Sequence, residues 1–405
     1  MLRFVLVGVL ASFAFAASAQ EQERLQRVFD ECHRLASSDV DPDRPTSVPG
    51  VPSSAIDPRA AIPACEAALK EAPNSRRLMF QLGRAYYADR EYDKARALYV
   101  RADALGNVAA TNNLASMMNE GLGGSRDVAE ARRLFEKAAA GGLPIAMFNL
   151  GTLYENGTGV PKDYREAWRW YDKAAARDYA PAMVKLGYFS ANGIAVARDL
   201  GEARHWYEKA AALGNGLAMN NLGALYEDGL GVPRDYQLAR RWYEKGAARG
   251  DALAMKNLGW LYENGRGVPQ DYAEARHWYE QAAAAGNTWA MVQLGLLNER
   301  GQGGPKNLAQ ARSWYERAAE RGNAWGMYDL ALTYQEGRGV PRDPAEARYW
   351  YEKALEAGDE EVAKRSRRNL AELGGRGRSR RETRRDSRPV GEGLVSGGGD
   401  IYLRP

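Results

Sequence analysis

Residues 144–179 read PIAMFNLGTLYENGTGVPKDYREAWRWYDKAAARDY, and this stretch decides the fold. Ala146, Met147, Leu150 and Tyr154 recur at helical spacing and form one apolar face. The run from Asn156 to Pro161 stops that helix, because glycine takes the left-handed cap conformation and a proline shortly after cannot continue the helix. Asp163 opens a second helix, with Glu166 three residues on in a capping-box pattern. Ala167, Trp170, Tyr171 and Ala174 give that helix its buried face. One such pair cannot cover its own apolar surface, so it must stack on another pair.

The chain supplies the other pairs at a fixed interval. Ala110, Ala146, Ala182, Ala218, Ala254, Ala290 and Gly326 are each 36 residues from the last. Leucine follows four positions on, from Leu114 to Leu330, and then a glycine column from Gly121 to Gly337. In the second helix an alanine column runs from Ala131 to Ala347. Behind it stand Trp170, Trp206, Trp242, Trp278, Trp314 and Trp350, with Leu134 in the first repeat. The Asp/Glu pair recurs as Asp127/Glu130, Asp199/Glu202, Asp271/Glu274 and Asp343/Glu346, with Asn307/Gln310 as an amide version. A period in this range is the signature of a helical solenoid.

These residues resemble the Sel1-like repeat family, a relative of the tetratricopeptide repeats. Ala218 to Gly250 carry its pattern almost residue for residue, and seven such repeats cover 108–359. The resemblance implies an all-α, right-handed α/α superhelical solenoid of two-helix repeats. The third repeat departs from the pattern: Ala195 and Ala197 stand where Gly and Pro are usual, and Asp178 replaces the closing glycine, which predicts a looser loop between persisting helices. Upstream, 78–107 reads as a tetratricopeptide-like repeat with a shorter inter-helix loop. Residues 20–77 read as a helical N-terminal cap, 360–373 as a charged capping helix, and 374–405 as a disordered Arg/Gly-rich tail.

The chain opens with an export signal. Arg3, the apolar stretch from Phe4 to Ala17 and the small residues Ala17 and Ala19 before Gln20 predict a cleaved signal peptide over 1–19. No later segment approaches the roughly 20 apolar residues of a membrane span, so the mature chain is expected to lack one and to be periplasmic or secreted. In that oxidising setting the only two cysteines, Cys32 and Cys65, are expected to pair; the alternative is two buried thiols. The formal net charge of +4 is uneven: from Lys364 onward 12 Lys/Arg face 5 Asp/Glu. The repeats are close to neutral and offer no electrostatic footprint for nucleic acid.

An enzyme needs a constellation of reactive groups, and no metalloprotease, serine-lysine, nucleophile-elbow or phosphate-loop motif occurs. His205 and His277 share a column with Arg241, Ser313 and Tyr349, which marks a solvated face. The recurring Gly-x-Gly-Val-Pro follows a helix, where its role is to stop that helix. Some relatives with this repeat carry a cysteine pair in each repeat and are described as β-lactamase-like. This chain lacks those cysteines, so a hydrolase of that type is the weakest reading, and no catalytic residue, metal or cofactor is expected.

Solenoids bind along an extended concave surface, which in tetratricopeptide-like stacks is lined by first helices. Three first-helix columns vary between repeats, and they point to Phe148, Tyr188, Trp260, Trp289, Trp325 and Tyr328 as aromatic anchors. The alternative is that these rings fill gaps between stacked pairs. Asn113, Asn149, Asn221 and Asn257 form an amide column able to bond an extended peptide, or else to satisfy local loop carbonyls. Trp168 replaces an arginine found in the six other repeats and is expected on the outer side of its helix. The expectation is therefore a non-catalytic exported scaffold or adaptor that binds an exported protein or a membrane-protein ectodomain, with a role in envelope signalling or assembly implied by resemblance. The alternative is a binder of peptidoglycan or another glycan.

Overall fold

The computed structural model describes residues 20–374, and every regular element among them is helical. The chain divides into two compact units at Ala182/Met183. The signal segment and the basic tail of the sequence reading lie outside the described residues.

The N-terminal unit begins with α1 (20–36), a loop with a short 3-10 turn (Ser53–Ala55), and α2 (Pro58–Glu71). The buried Cys32–Cys65 disulfide ties α1 to α2 across a separation of 33 residues. Helices α3 (Arg76–Ala88) and α4 (Tyr92–Ala104) form the shorter-looped pair. They are followed by α5 (Val108–Glu120) and α6 (Val128–Ala140), then α7 (Pro144–Asn156) and α8 (Tyr164–Ala175). From α2 to α8 each helix packs on the next in sequence.

The boundary falls inside α9 (Ala180–Asn192). The C-terminal unit continues with α10 (Leu200–Ala212), α11 (Gly216–Asp228), α12 (Tyr236–Ala247), α13 (Ala252–Asn264) and α14 (Tyr272–Ala284). It ends with α15 (Thr288–Arg300), α16 (Leu308–Glu320), α17 (Ala324–Glu336), α18 (Pro344–Glu356) and α19 (Glu360–Gly374). Here first helices also touch first helices: α11 meets α13, α15 meets α17, and α17 meets α19. That is the contact pattern of a solenoid of two-helix repeats. Val362 stands 36 residues after Gly326 and is fully buried, so α19 is in register as the first helix of an eighth repeat.

The loops follow from local chemistry. Gly121, Gly157, Gly229, Gly265, Gly301 and Gly337 each close a first helix at φ between 63° and 75°. Asp163 then caps α8 by accepting from the amides of Arg165 and Glu166. The capping box is only half used, because the Asp163 amide donates to the Tyr154 carbonyl at 2.9 Å and Glu166 turns to Arg169. The same amide-to-carbonyl bond recurs at Asp127, Asp199, Asp235, Asp271, Asn307 and Asp343, and it sets how closely the two helices of each pair approach. The third repeat keeps this geometry. Ala195 takes φ 64° in the inter-helix loop, and Asp178, in the turn that leads into the third repeat, takes φ 57°, so these residues hold the left-handed turns that glycine makes elsewhere. The loop is strained and not looser.

The packing corrects one assignment. The fully buried ring of every second helix but α6 is the tyrosine: Tyr99, Tyr171, Tyr207, Tyr243, Tyr279, Tyr315 and Tyr351. The preceding tryptophans are only half-buried, and several carry a lysine or arginine over the ring, as Lys173 does over Trp170 at 3.8 Å. The first-helix glycine exists for the tyrosine. A Cβ at Gly151, Gly187 or Gly223 would sit 2.5 Å from Cε1 of Tyr171, Tyr207 or Tyr243. The first repeat has Ala115 at this place opposite Phe135, and the last has Ala331 opposite Tyr351.

Candidate functional site

The anchor residues read from the sequence have different fates, because some are covered by other parts of the chain. In the N-terminal unit, Phe148 is wedged between Tyr171 at 5.3 Å and Tyr179 at 5.5 Å, so it fills space between helices. Trp168 is half-buried. In the C-terminal unit, Tyr188 is half-buried against Phe189. Trp325 and Tyr328 are each only 5% exposed. Arg365 of α19 lies over the Trp325 ring at 5.3 Å, and Asn369 donates to the hydroxyls of Tyr328 and Tyr351 at 3.3 and 2.8 Å. These two rings are seats for α19 and not part of an open wall.

The amide column is also used within the protein. Asn113 donates to the Tyr99 hydroxyl at 3.3 Å. Asn149 donates to Asn112 at 3.0 Å, and Asn257 to Asn220 at 2.8 Å, so these amides bridge successive first helices. Asn221 is buried and accepts from Asn220. They satisfy neither loop carbonyls nor open space. Buried amides are ordinarily paired, and for Asn149 and Asn257 the partner is the preceding first helix.

The first helix α3 is covered in turn. By alignment of Leu82-Gly83 with Leu150-Gly151, Gln81 stands in the amide column and Arg84 in the column of Thr152 and Trp260. Arg84 is buried and donates to the carbonyls of Ala36, Ser37 and Val51, while Gln81 donates to the Ser37 hydroxyl at 3.1 Å. The loop over residues 37–56 thus occupies the face of α3. Asp43 pairs with Arg76, and Asn107, the N-cap of α5, donates to Asp41 and Asp43. His33 is buried in this network: Nδ1 faces the Gln81 carbonyl oxygen at 2.8 Å, and Nε2 accepts from Arg77 at 3.0 Å.

In the C-terminal unit the column of Tyr188, Ala224, Trp260, Leu296 and Leu332 keeps part of its surface throughout, and its indole falls on α13 beside the Trp289 of α15. Trp260 and Trp289 are both half-buried. Trp289 lies 5.6 Å from the buried Tyr279, and the Lys256 ammonium lies over its ring, 5.4 Å from the ring centre. Lys256 is half-buried and forms no ion pair among the described residues. Burial pushes its ammonium toward the neutral form, while Glu227 and Asp251 hold the charge in place. Both carboxylates already have donors: Tyr243 donates to Glu227, and the Ala254 amide donates to Asp251 at 2.8 Å. Lys256 is the one charged residue of its column across the seven repeats.

No group of three or more His, Cys, Asp or Glu able to hold a metal occurs among the described residues. His205 and His277 are exposed, as a solvated column requires. No helix among the described residues is long and apolar enough to cross a membrane.

Fold and face together define a helical repeat protein of the interaction-scaffold class. The chain belongs to the Sel1 repeat family: that family's model matches 108–143, 144–179, 180–215, 216–251, 252–287, 290–323 and 326–359. A tetratricopeptide repeat model matches 55–110, which reaches back through α2, beyond the start expected at residue 78. A similar solved structure is a protective antigen of uropathogenic Escherichia coli with this fold, 34% identical, TM-score 0.55, covering 78% of this chain and 68% of that one. Another is a Sel1 repeat protein from Oxalobacter formigenes, 38% identical, TM-score 0.56, covering 59% of this chain and 98% of that one. No curated protein matches.

Proposed function

We propose that this chain is an exported, non-catalytic scaffold that binds a protein of the cell envelope through the first-helix face of α13 and α15. One observation carries the reading. First-helix positions are covered by the chain's own loop at Arg84 and by its own helix at Trp325 and Tyr328, whereas the indoles of Trp260 and Trp289 keep part of their surface. Half-exposed indoles on a rigid helical frame are the side chains that anchor protein interfaces, since they bring large area at small entropic cost. The Cys32–Cys65 bridge supports an oxidising compartment, as does the apolar start of the sequence.

The test is crosslinking in intact cells with the wild-type chain and with Trp260→Ala combined with Trp289→Ala. The captured protein should fall at least roughly tenfold in the double variant. Helicity should be retained, since neither ring is fully buried. Unchanged capture removes the site. Export is tested by fractionation and by sequencing the mature N-terminus, expected at Gln20; an uncleaved cytoplasmic chain overturns it.

A further inference from the structure

Helix α19 holds the place of an eighth first helix without the side chains that fill that place in the other seven. Asp359 caps it by accepting from the Val362 amide at 2.9 Å, as Asn323 accepts from the Gly326 amide in α17. The register then puts Ser366 in the column that is leucine from Leu114 to Leu330. Ser366 is fully buried, and its hydroxyl has no hydrogen-bond partner among the described residues. A buried hydroxyl left unpaired costs free energy that a leucine there would not. Val362 and Ala363 are the buried apolar side chains of α19, and Leu370 and Leu373 are only half-buried. The repeat columns do not continue beyond it: Thr383, Asp386 and Ser387 stand where the alanine, tryptophan and tyrosine would fall. The seat beneath is aromatic, with Tyr328 6.0 Å from Trp325 and 5.7 Å from Tyr351. An element with few buried apolar contacts thus covers an aromatic face, and such elements open first.

We infer that α19 is a displaceable cover, and that the face of Trp325, Tyr328 and Tyr351 beneath it receives an amphipathic helix of a partner protein. The preferred helix carries leucine in the place of Ser366 and an amide three residues on. The leucine supplies the apolar contact that Ser366 lacks. The amide keeps the bonds that Asn369 gives to the hydroxyls of Tyr328 and Tyr351. Residues three apart share one face on a helix and fall on opposite faces of an extended strand, so the seat selects a helix. This face is separate from the one on α13 and α15, and it is open only when α19 lifts.

The experiment uses the full chain and a fluorescein-labelled, C-terminally amidated peptide of residues 360–374 carrying Ser366→Leu, read by anisotropy against the same peptide with Ser366 kept. The leucine peptide should bind at least roughly tenfold more tightly. Its binding should quicken hydrogen exchange in 360–374 of an isotope-labelled chain while α17 and α18 stay protected. Ser366→Leu in the chain itself should hold its own cover down. Exchange in 360–374 then slows and the leucine peptide binds at least roughly tenfold more weakly, with an unchanged circular dichroism spectrum. Equal binding of the two peptides, no binding of either, or binding that leaves exchange in 360–374 unchanged overturns the inference. So does a Ser366→Leu chain that binds the peptide as well as wild type or exchanges faster in 360–374. Loss of peptide binding in the Trp260→Ala, Trp289→Ala chain also overturns it, because the peptide then sits on α13 and α15. These failures leave the scaffold reading standing, because that reading falls only when crosslinking captures no protein sensitive to Trp260 and Trp289.

Discussion

At the scale of single residues, the repeats act as controls for one another. Ala195 holds φ 64° where Gly159, Gly231, Gly267, Gly303 and Gly339 take 66° to 73°. A left-handed alanine costs about 1–2 kcal/mol, so Ala195→Gly should stabilise the chain by roughly 1 kcal/mol after the entropy of the new glycine is set against it, read as a higher denaturant midpoint. Glu263 provides a second case. It is buried, its carboxyl is pushed above the ordinary range by that burial, and the Tyr279 hydroxyl donates to it at 2.6 Å. A carboxyl raised on folding adds stability at acid pH that is lost as pH rises through its folded value. Gln335 already accepts from Tyr351 at 2.6 Å in the same column, so Glu263→Gln keeps the bond without the charge. That variant should be more stable at neutral pH and less pH-dependent above about pH 4.5, the ordinary carboxyl value, as thermal scans at pH 5 and 7.5 would show.

At the scale of elements, most boundaries were legible because caps and stops act within one helical turn. The first-helix N-caps Asn215, Asp251, Asn287 and Asn323 each accept from the amide three residues on, worth about 1 kcal/mol apiece. The role of α19 was half legible: its charge suggested a cap, and only its seat on Trp325 and Tyr328 showed that it continues the register. The loop over residues 37–56 lies within the expected helical N-terminal cap, and only the structure shows it bonded across α3 and α5. His33 makes that attachment sensitive to acid. Burial lowers its pKa, and protonation would set an N–H against Arg77, with Gln81 and Asp30 the other groups facing it. The folded state then holds fewer protons than the unfolded one, so this contribution is present above about pH 6.5 and is lost as pH falls below that value through the lowered folded pKa. Hydrogen exchange in residues 20–56 should therefore quicken between pH 7.5 and 5.5, with a smaller change in His33→Gln.

At the scale of the whole molecule, a repeat protein's stability is a sum of repeats and their neighbour contacts, so a local loss stays largely local. Reduction of Cys32–Cys65 should destabilise the N-terminal unit by roughly 3–4 kcal/mol in the chain-entropy model. Denaturant curves with and without dithiothreitol should differ there, while probes in the C-terminal unit change little; a global shift would contradict this. The sequence by itself determined the period, the paired helices, the left-handed stops and the family, because apolar spacing, side-chain caps and glycine φ are properties of a few adjacent residues. Only the tertiary structure decided which columns remain open. Trp289 and Trp325 occupy the same place in successive repeats and are equally apolar, yet one keeps part of its surface and the other lies under α19. Accessibility depends on what distant residues lay over a side chain, and no column of repeats encodes that.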